Sequence, residues 1–89
     1  MNDAEKQTVL RIAYLLVSAA YCEASAKHFA DKLSELGDDE SSRRSLLQLV
    51  ERRAREVGRF MLSVSCELLA SLPYETRLKV MAALHAAKS

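Results

Sequence analysis

The strongest constraint in this sequence is a seven-residue rhythm of apolar side chains that occurs twice. In the first half the apolar positions follow in steps of three and four residues: Ile12, Leu15, Ala19, Cys22, Ala26, Phe29, Leu33 and Leu36. The second half has the same spacing at Leu47, Val50, Ala54, Val57, Met61, Val64 and Leu68. This period of about 3.5 residues is typical of helices that pack along their length. No stretch alternates with a period of two, so the sequence predicts an all-α protein.

Helix-breaking residues are few, and they divide the chain into three predicted helices. Gly37, followed by acids and serines, is typical of one helix ending and another beginning. Pro73 ends a helix and can occupy the first turn of the next. Asn2 stands three residues before Glu5, which is the spacing of a capping box. The predicted helices span about 3–36, 40–71 and 73–87, within one domain that covers 1–89.

Folding the chain back at Gly37 brings the two apolar seams into register. Ala26 then faces Ala54, and Cys22 faces Val57. The alanine pair is small on both sides, so the helices can approach closely there. The register predicts an antiparallel hairpin of two long helices, with a short third helix after it.

The amino-terminal half of the first helix is apolar on nearly every side, because only Arg11 and Ser18 interrupt the apolar run from Val9 to Cys22. A helix that is apolar all round is buried all round, which one hairpin neighbour cannot achieve. We expect the third helix to cover one flank with the face formed by Tyr74, Leu78, Met81, Ala82 and His85. A second copy is expected to cover the rest, which predicts a dimeric helical bundle. The expected dimer interface consists of Leu10, Ala13, Tyr14, Val17 and Tyr21.

Two alternatives stay open for that apolar surface. A different protein could bind it instead of a second copy of the chain. The third helix could also pack on its own subunit or exchange with the partner's. The sequence does not separate these cases.

Arginines cluster in the second predicted helix, where four of the eight residues from Arg52 to Arg59 are arginine. With Val57 facing the first helix and about 100° per residue, most of them project outward. Glu51 and Glu56 flank the cluster and can form ion pairs with it. A solvated, ion-paired face is the plain interpretation, and we take it as the expected surface for a protein partner. Its members are Arg44, Arg52, Arg55 and Arg59.

Nucleic-acid binding through the same arginines is the main alternative, because arginines on one helical face can contact phosphates. The net charge is only +1 at pH 7, which gives little overall attraction to nucleic acid. The sequence also has no basic tail and no recognisable reading-helix motif. The expected partners are therefore a second copy and an unidentified protein, with nucleic acid as the second choice.

Residues that could carry catalysis or hold a metal are sparse. Cys22 and Cys66 lie about nine residues apart along the predicted hairpin, roughly 13 Å, which is too far for a shared ion or disulfide. Acids at Asp38, Asp39 and Glu40 suit a helix start without any catalytic need. Only two glycines occur, so no phosphate-binding glycine loop is expected. We predict no catalytic residue, no cofactor and no metal.

One stretch of the second helix suggests a lower enzymatic alternative. The residues "SLLQLVERRAREVGRF" at 45–60 resemble the first helix of the small all-α chorismate mutases, which are helical dimers of about this length. The resemblance implies that an arginine on this helix, a following lysine and later acids bind a dicarboxylate. Phe60, Met61 and Leu62 stand where that family has its lysine.

The remaining expectations concern localisation and role. The apolar run "IAYLLVSAAYC" has 11 residues, too few to span a bilayer. It could be the core of a signal peptide, but Asp3 and Glu5 do not suit a basic leader. We expect a cytoplasmic protein without membrane contact. The favoured function is a non-enzymatic regulator or adaptor (an antagonist, anti-activator or chaperone-like protein) that binds proteins as a helical homodimer.

Overall fold

A computed structural model of the chain describes residues 1–37 and 39–88, and Asp38, one of the predicted helix-start acids, lies outside them. Three helices account for most of the described chain: α1 (Asp3–Ser34), α2 (Ser41–Ser71) and α3 (Tyr74–Lys88). No strand occurs within these described ranges, and the prediction of an all-α protein is confirmed.

Helix α1 begins with the capping box that the sequence predicts. The Asn2 side chain accepts a hydrogen bond from the Glu5 backbone N–H at 2.8 Å. The Glu5 carboxylate in turn accepts from the Asn2 backbone N–H at 3.3 Å. The Thr76 hydroxyl also lies 3.4 Å from that carboxylate, so Glu5 connects the start of α1 to the start of α3.

Replacement of Asn2 with alanine is expected to lower the free energy of unfolding by about 1 kcal/mol, because the Glu5 N–H loses its acceptor. Urea denaturation followed by circular dichroism measures the change. Gln7→Ala, at an exposed position of the same helix, is the control. Equal stability of the two variants would contradict a role for the cap.

The turn between α1 and α2 is held by side chains and by a backbone hydrogen bond from the Glu40 N–H to the Gly37 carbonyl, and not by a left-handed glycine. Gly37 has no positive φ, unlike many glycines that end helices. Its N–H donates to the Glu40 carboxylate at 3.1 Å. The Arg44 guanidinium donates to the backbone carbonyls of Leu36 and Gly37 at 3.3 Å and 3.4 Å. Arg44 therefore donates to two carbonyls of the turn that follows α1.

The buried core is small and lies toward the end of the molecule away from this turn. Ile12 of α1, Leu72 at the end of α2 and Val80 of α3 form a cluster that joins all three helices. Half-buried leucines and a valine surround it: Val9, Leu16, Leu68, Leu69 and Leu84. Farther along, Ala19 and Ala26 are buried where α1 and α2 pack together.

The inward face of α2 differs from the predicted seam. Gly58 and Ser65 are buried, while Val57 is 38% exposed. The inward face is thus turned by roughly 45° from the predicted one. A Cβ atom at Gly58 would lie 3.3 Å from the Cys22 Cβ, so the missing side chain allows a close approach. The Ser65 hydroxyl donates to the Leu62 carbonyl at 2.7 Å, which satisfies it inside the helix.

The predicted packing face of α3 is wrong. Tyr74, Leu78, Met81, Ala82 and His85 are all exposed. The helix packs instead through Thr76 and Val80, which are buried, and Leu84, which is half-buried. Because α3 has apolar residues on both faces, its periodicity alone does not decide which face turns inward.

The three helices form an elongated slab. Its principal extents are 58, 25 and 15 Å, and its radius of gyration is 17.5 Å. A compact domain of this length would have a radius of gyration of about 12 Å. Much of each long helix therefore remains in contact with solvent.

Candidate protein-interaction surfaces

Four of the five predicted dimer residues form an exposed line on α1. We call this line the α1 stripe. Its members, with their exposed fractions, are Leu10 (62%), Tyr14 (71%), Val17 (71%) and Tyr21 (75%). They follow in steps of four, three and four residues, so they lie on one face of the helix. The fifth residue, Ala13, is exposed but lines a groove of about 290 Å³ against Val80 and Leu84 of α3.

The α1 stripe is continuous with apolar residues of α2. A groove of about 460 Å³ lies between the two helices, with Leu10 and Tyr14 on one wall and Val64 and Leu68 on the other. Phe60 lies one helical turn before Val64 on the same side of α2 and is 68% exposed. Val57 lies a further turn along. We call Val57, Phe60 and Val64 the α2 stripe.

The sequence interpretation missed the α2 stripe. It placed Val57 and Val64 in the buried seam and gave Phe60 no role. The spacing of Val57, Phe60 and Val64, in steps of three and four, is the signal that could have indicated a second apolar line on α2.

Helix α3 lies on the opposite side of α1 from the α2 stripe. It contacts α1 through the Val9, Ile12 and Leu16 side, whereas Tyr14 lines a groove with Val64 of α2. The two long helices therefore have one side partly covered by α3. On the other side, every member of the two stripes is exposed except Val64, which is half-buried.

The predicted arginine set divides into two groups. Arg44 is half-buried and bonded to the carbonyls of the turn, so it is a structural residue and not part of one surface with the others. Arg52, Arg55 and Arg59 are exposed on a single face of α2, and we call them the arginine surface.

Ion pairing neutralises only part of the arginine surface. The Arg55 Nε lies 2.8 Å from a Glu51 carboxylate oxygen. Arg52 and Arg59 have no ion-pair partner among residues 1–37 and 39–87. Exposed helical pairs such as Glu51–Arg55 contribute roughly 0.3–0.5 kcal/mol. The surface therefore keeps positive charge that is available to a partner.

A shallow groove of about 200 Å³ beside the arginine surface bears on the chorismate mutase resemblance. Arg55 and Arg59 line it, above a floor that includes Ala19 and Gly58. Both arginines are exposed, and Glu23 shares the groove. No lysine lines the groove among the described residues, so the groove differs from the site that the resemblance implies.

The two cysteines have separate environments. Cys22 is a half-buried free thiol that packs against Gly58, and Cys66 is a free thiol exposed on α2. In the part of the chain that the structure describes, no group of three His, Cys, Asp or Glu residues is arranged to hold a metal ion.

Helix α1 as a whole is long and apolar enough to cross a membrane, judged by length and composition. The 11-residue run considered above is only its uninterrupted apolar centre. Core helices of soluble proteins and signal sequences have the same property, so it does not decide between these settings.

Comparison of the chain with protein-family models, with curated proteins and with solved structures gives no match. The candidate surfaces are therefore defined by the position and exposure of their residues and not by similarity to a known protein. The two apolar stripes occupy one side of the long helices, and the arginine surface borders the groove on the other.

Proposed function

We propose that this chain is a small, non-enzymatic, cytoplasmic regulator or adaptor that binds other proteins and works as a helical homodimer. The observation that carries the proposal is the exposed α1 stripe. Fully burying a side chain such as leucine or valine stabilises by about 1.5–3 kcal/mol. Four large apolar side chains in one line therefore favour association with another helical surface.

An antiparallel hairpin of α1 and α2 is the proposed unit of this dimer. Three contacts support it. Phe29 shares a groove with Leu47, Cys22 packs against Gly58, and Ile12 belongs to the cluster of Leu68 and Leu72. As the residue numbers fall along α1 they rise along α2, which is the order of an antiparallel pair.

The arginine surface would remain accessible in such a dimer and would contact the protein partner. Arg52 and Arg59 are exposed without ion pairs among the described residues, so they suit an acidic partner surface. The exposed charges of Arg52 and Arg59 also favour nucleic acid as a second candidate partner. Binding of duplex DNA that weakens steeply with added salt, and that Arg52→Glu abolishes, would select this second candidate.

Replacement of Val17 with glutamate tests the homodimer. The wild-type protein is expected to have twice the mass of the 9.9 kDa chain by light scattering. Because a charge in the centre of the α1 stripe would be buried on association, Val17→Glu is expected to raise the dimer dissociation constant by about 30-fold or more. Ala20→Glu, at an exposed position of α1 that lines a groove with Arg55 on the other side of the two long helices, is the control. A Val17→Glu protein that stays as dimeric as the control would refute the assignment.

A further inference from the structure

We infer that the self-association face extends beyond α1 to include the α2 stripe, and that its occupant is the same face of a second copy. The inference rests on the proposed homodimer and specifies its geometry. Leu10 and Tyr14 line one groove with Val64 of α2. Helical spacing places the exposed Tyr21 and Phe60 on the same side of the two helices, away from α3. Two such surfaces in contact form a four-helix core, with one α3 on each outer side.

The solvent-accessible area of the single chain is large enough for such a face to be buried when two copies associate. The chain exposes 6775 Å². A compact monomer of this mass exposes about 5,200 Å². The excess of roughly 1,600 Å² is larger than the roughly 800 Å² that each partner buries in a standard interface. A layer of two helices with one uncovered side also lacks the second layer that a stable core requires.

Three aromatic side chains supply much of the area that a dimer needs. Tyr14, Tyr21 and Phe60 are each 68–75% exposed in the single chain. An aromatic side chain buries about 150–250 Å² when covered, so together they would contribute roughly 300–500 Å² per chain. This is about half of the roughly 800 Å² that each partner buries in a standard interface, and aromatic residues are enriched among those that dominate binding energy.

The charge distribution favours a second copy as the occupant. An isologous contact brings a surface against itself, so charges of one sign at its centre would repel. Neither stripe contains a charged residue. The charges beside the stripes have both signs, because Arg11 lines the groove between them and Arg53 forms an ion pair with Glu56 next to Phe60. The three- and four-residue steps of both stripes are those by which helices interlock.

Phe60→Glu tests this face separately from the α1 stripe. It is expected to raise the dimer dissociation constant by about 30-fold, measured by sedimentation equilibrium on the purified full chain. Leu62→Glu is the matched control, because Leu62 is an exposed apolar residue of α2 that lines the groove of the arginine surface instead. We expect Leu62→Glu to associate like the wild type. Circular dichroism verifies that each variant is folded. If Phe60→Glu loses helix content, Phe60→Ala replaces it as the test, with an expected tenfold rise in the dimer dissociation constant.

The outcomes separate this inference from the proposed function. Dimers that persist in Phe60→Glu but dissociate in Val17→Glu would overturn the two-helix face and leave the homodimer standing. A wild-type protein that is monomeric at all concentrations would overturn both. A monomer that instead co-sediments with phosphatidylcholine vesicles would identify a lipid surface as the occupant of the face, which also overturns both.

Discussion

Gly58→Leu is expected to lower the free energy of unfolding by about 3 kcal/mol, because it places a large side chain where α1 and α2 meet. A Cβ at this position already lies 3.3 Å from the Cys22 Cβ and 3.6 Å from the Ala19 carbonyl oxygen. A leucine would force the helices apart next to the buried Ala19. Leucine is a far better helix former than glycine, so a loss of stability reports crowding and not helix propensity. Urea denaturation at a fixed protein concentration measures the effect.

Two further variants isolate the cause. Gly58→Ala gains up to about 1 kcal/mol of helix propensity but needs a shift of a few tenths of an ångström at Cys22, so its net change is expected to stay within about 1 kcal/mol. Ser63→Leu adds the same side chain at an exposed position of α2 and is expected to be nearly neutral. Gly58→Leu that matches Ser63→Leu would show that the helices do not approach closely at this layer.

The helical class could be predicted from the sequence because two independent signals agree. The three- and four-residue apolar spacing excludes strands, and the breaks near Gly37 and Pro73 separate the helices. The buried face of α1 was also within reach, since Ile12, Ala19 and Ala26 all belong to the predicted seam and all are buried. On α1 the predicted apolar seam also contains the small residues Ala19 and Ala26, so hydropathy and close packing select the same face.

On α2 these two properties diverge, and the predicted seam differs from the observed packing at Val57 for a physical reason, while the other six seam residues are half-buried. The apolar pattern selects Val57, whereas close packing selects Gly58 because it has no side chain. Burial of the glycine turns Val57 outward and leaves Phe60 exposed beyond it. The α2 stripe is exposed because the inward face of α2 is rotated in this way, and hydropathy alone does not reveal that rotation.

The arginines illustrate a different limit. A helical projection places Arg44 on the same outward face as Arg52 and Arg59, but it contains no information about the turn that precedes α2. The Arg44 guanidinium donates to the carbonyls of Leu36 and Gly37 in that turn, and the Gly37 carbonyl also accepts from the Glu40 backbone N–H. Its structural use depends on the conformation of the turn before α2, which the spacing of one helix does not specify.

Ile12→Ala is expected to destabilise the protein by about 3–4 kcal/mol, the largest effect among the single substitutions considered for stability. Ile12 is 2% exposed, and its cluster with Leu72 and Val80 joins the three helices. The substitution removes the side chain of α1 that α3 packs against, and it leaves a cavity that a core of few buried residues cannot refill. Helix α3 should therefore separate first, so its amide hydrogens should exchange faster than those of α2.

Leu78→Ala is the matched control for that prediction, because it removes an aliphatic side chain from the outer face of α3. Leu78 belongs to the face that the sequence predicted to pack, yet it is exposed. Its replacement is expected to change the free energy of unfolding by less than about 1 kcal/mol, as for most exposed sites. If Leu78→Ala instead destabilised α3 as strongly as Ile12→Ala, the helix would pack through its other face, and the cluster of Ile12 and Val80 would not hold it. Hydrogen exchange resolved by segment distinguishes the two results, because only loss of the Ile12 cluster also exposes the amides of α1 around that residue.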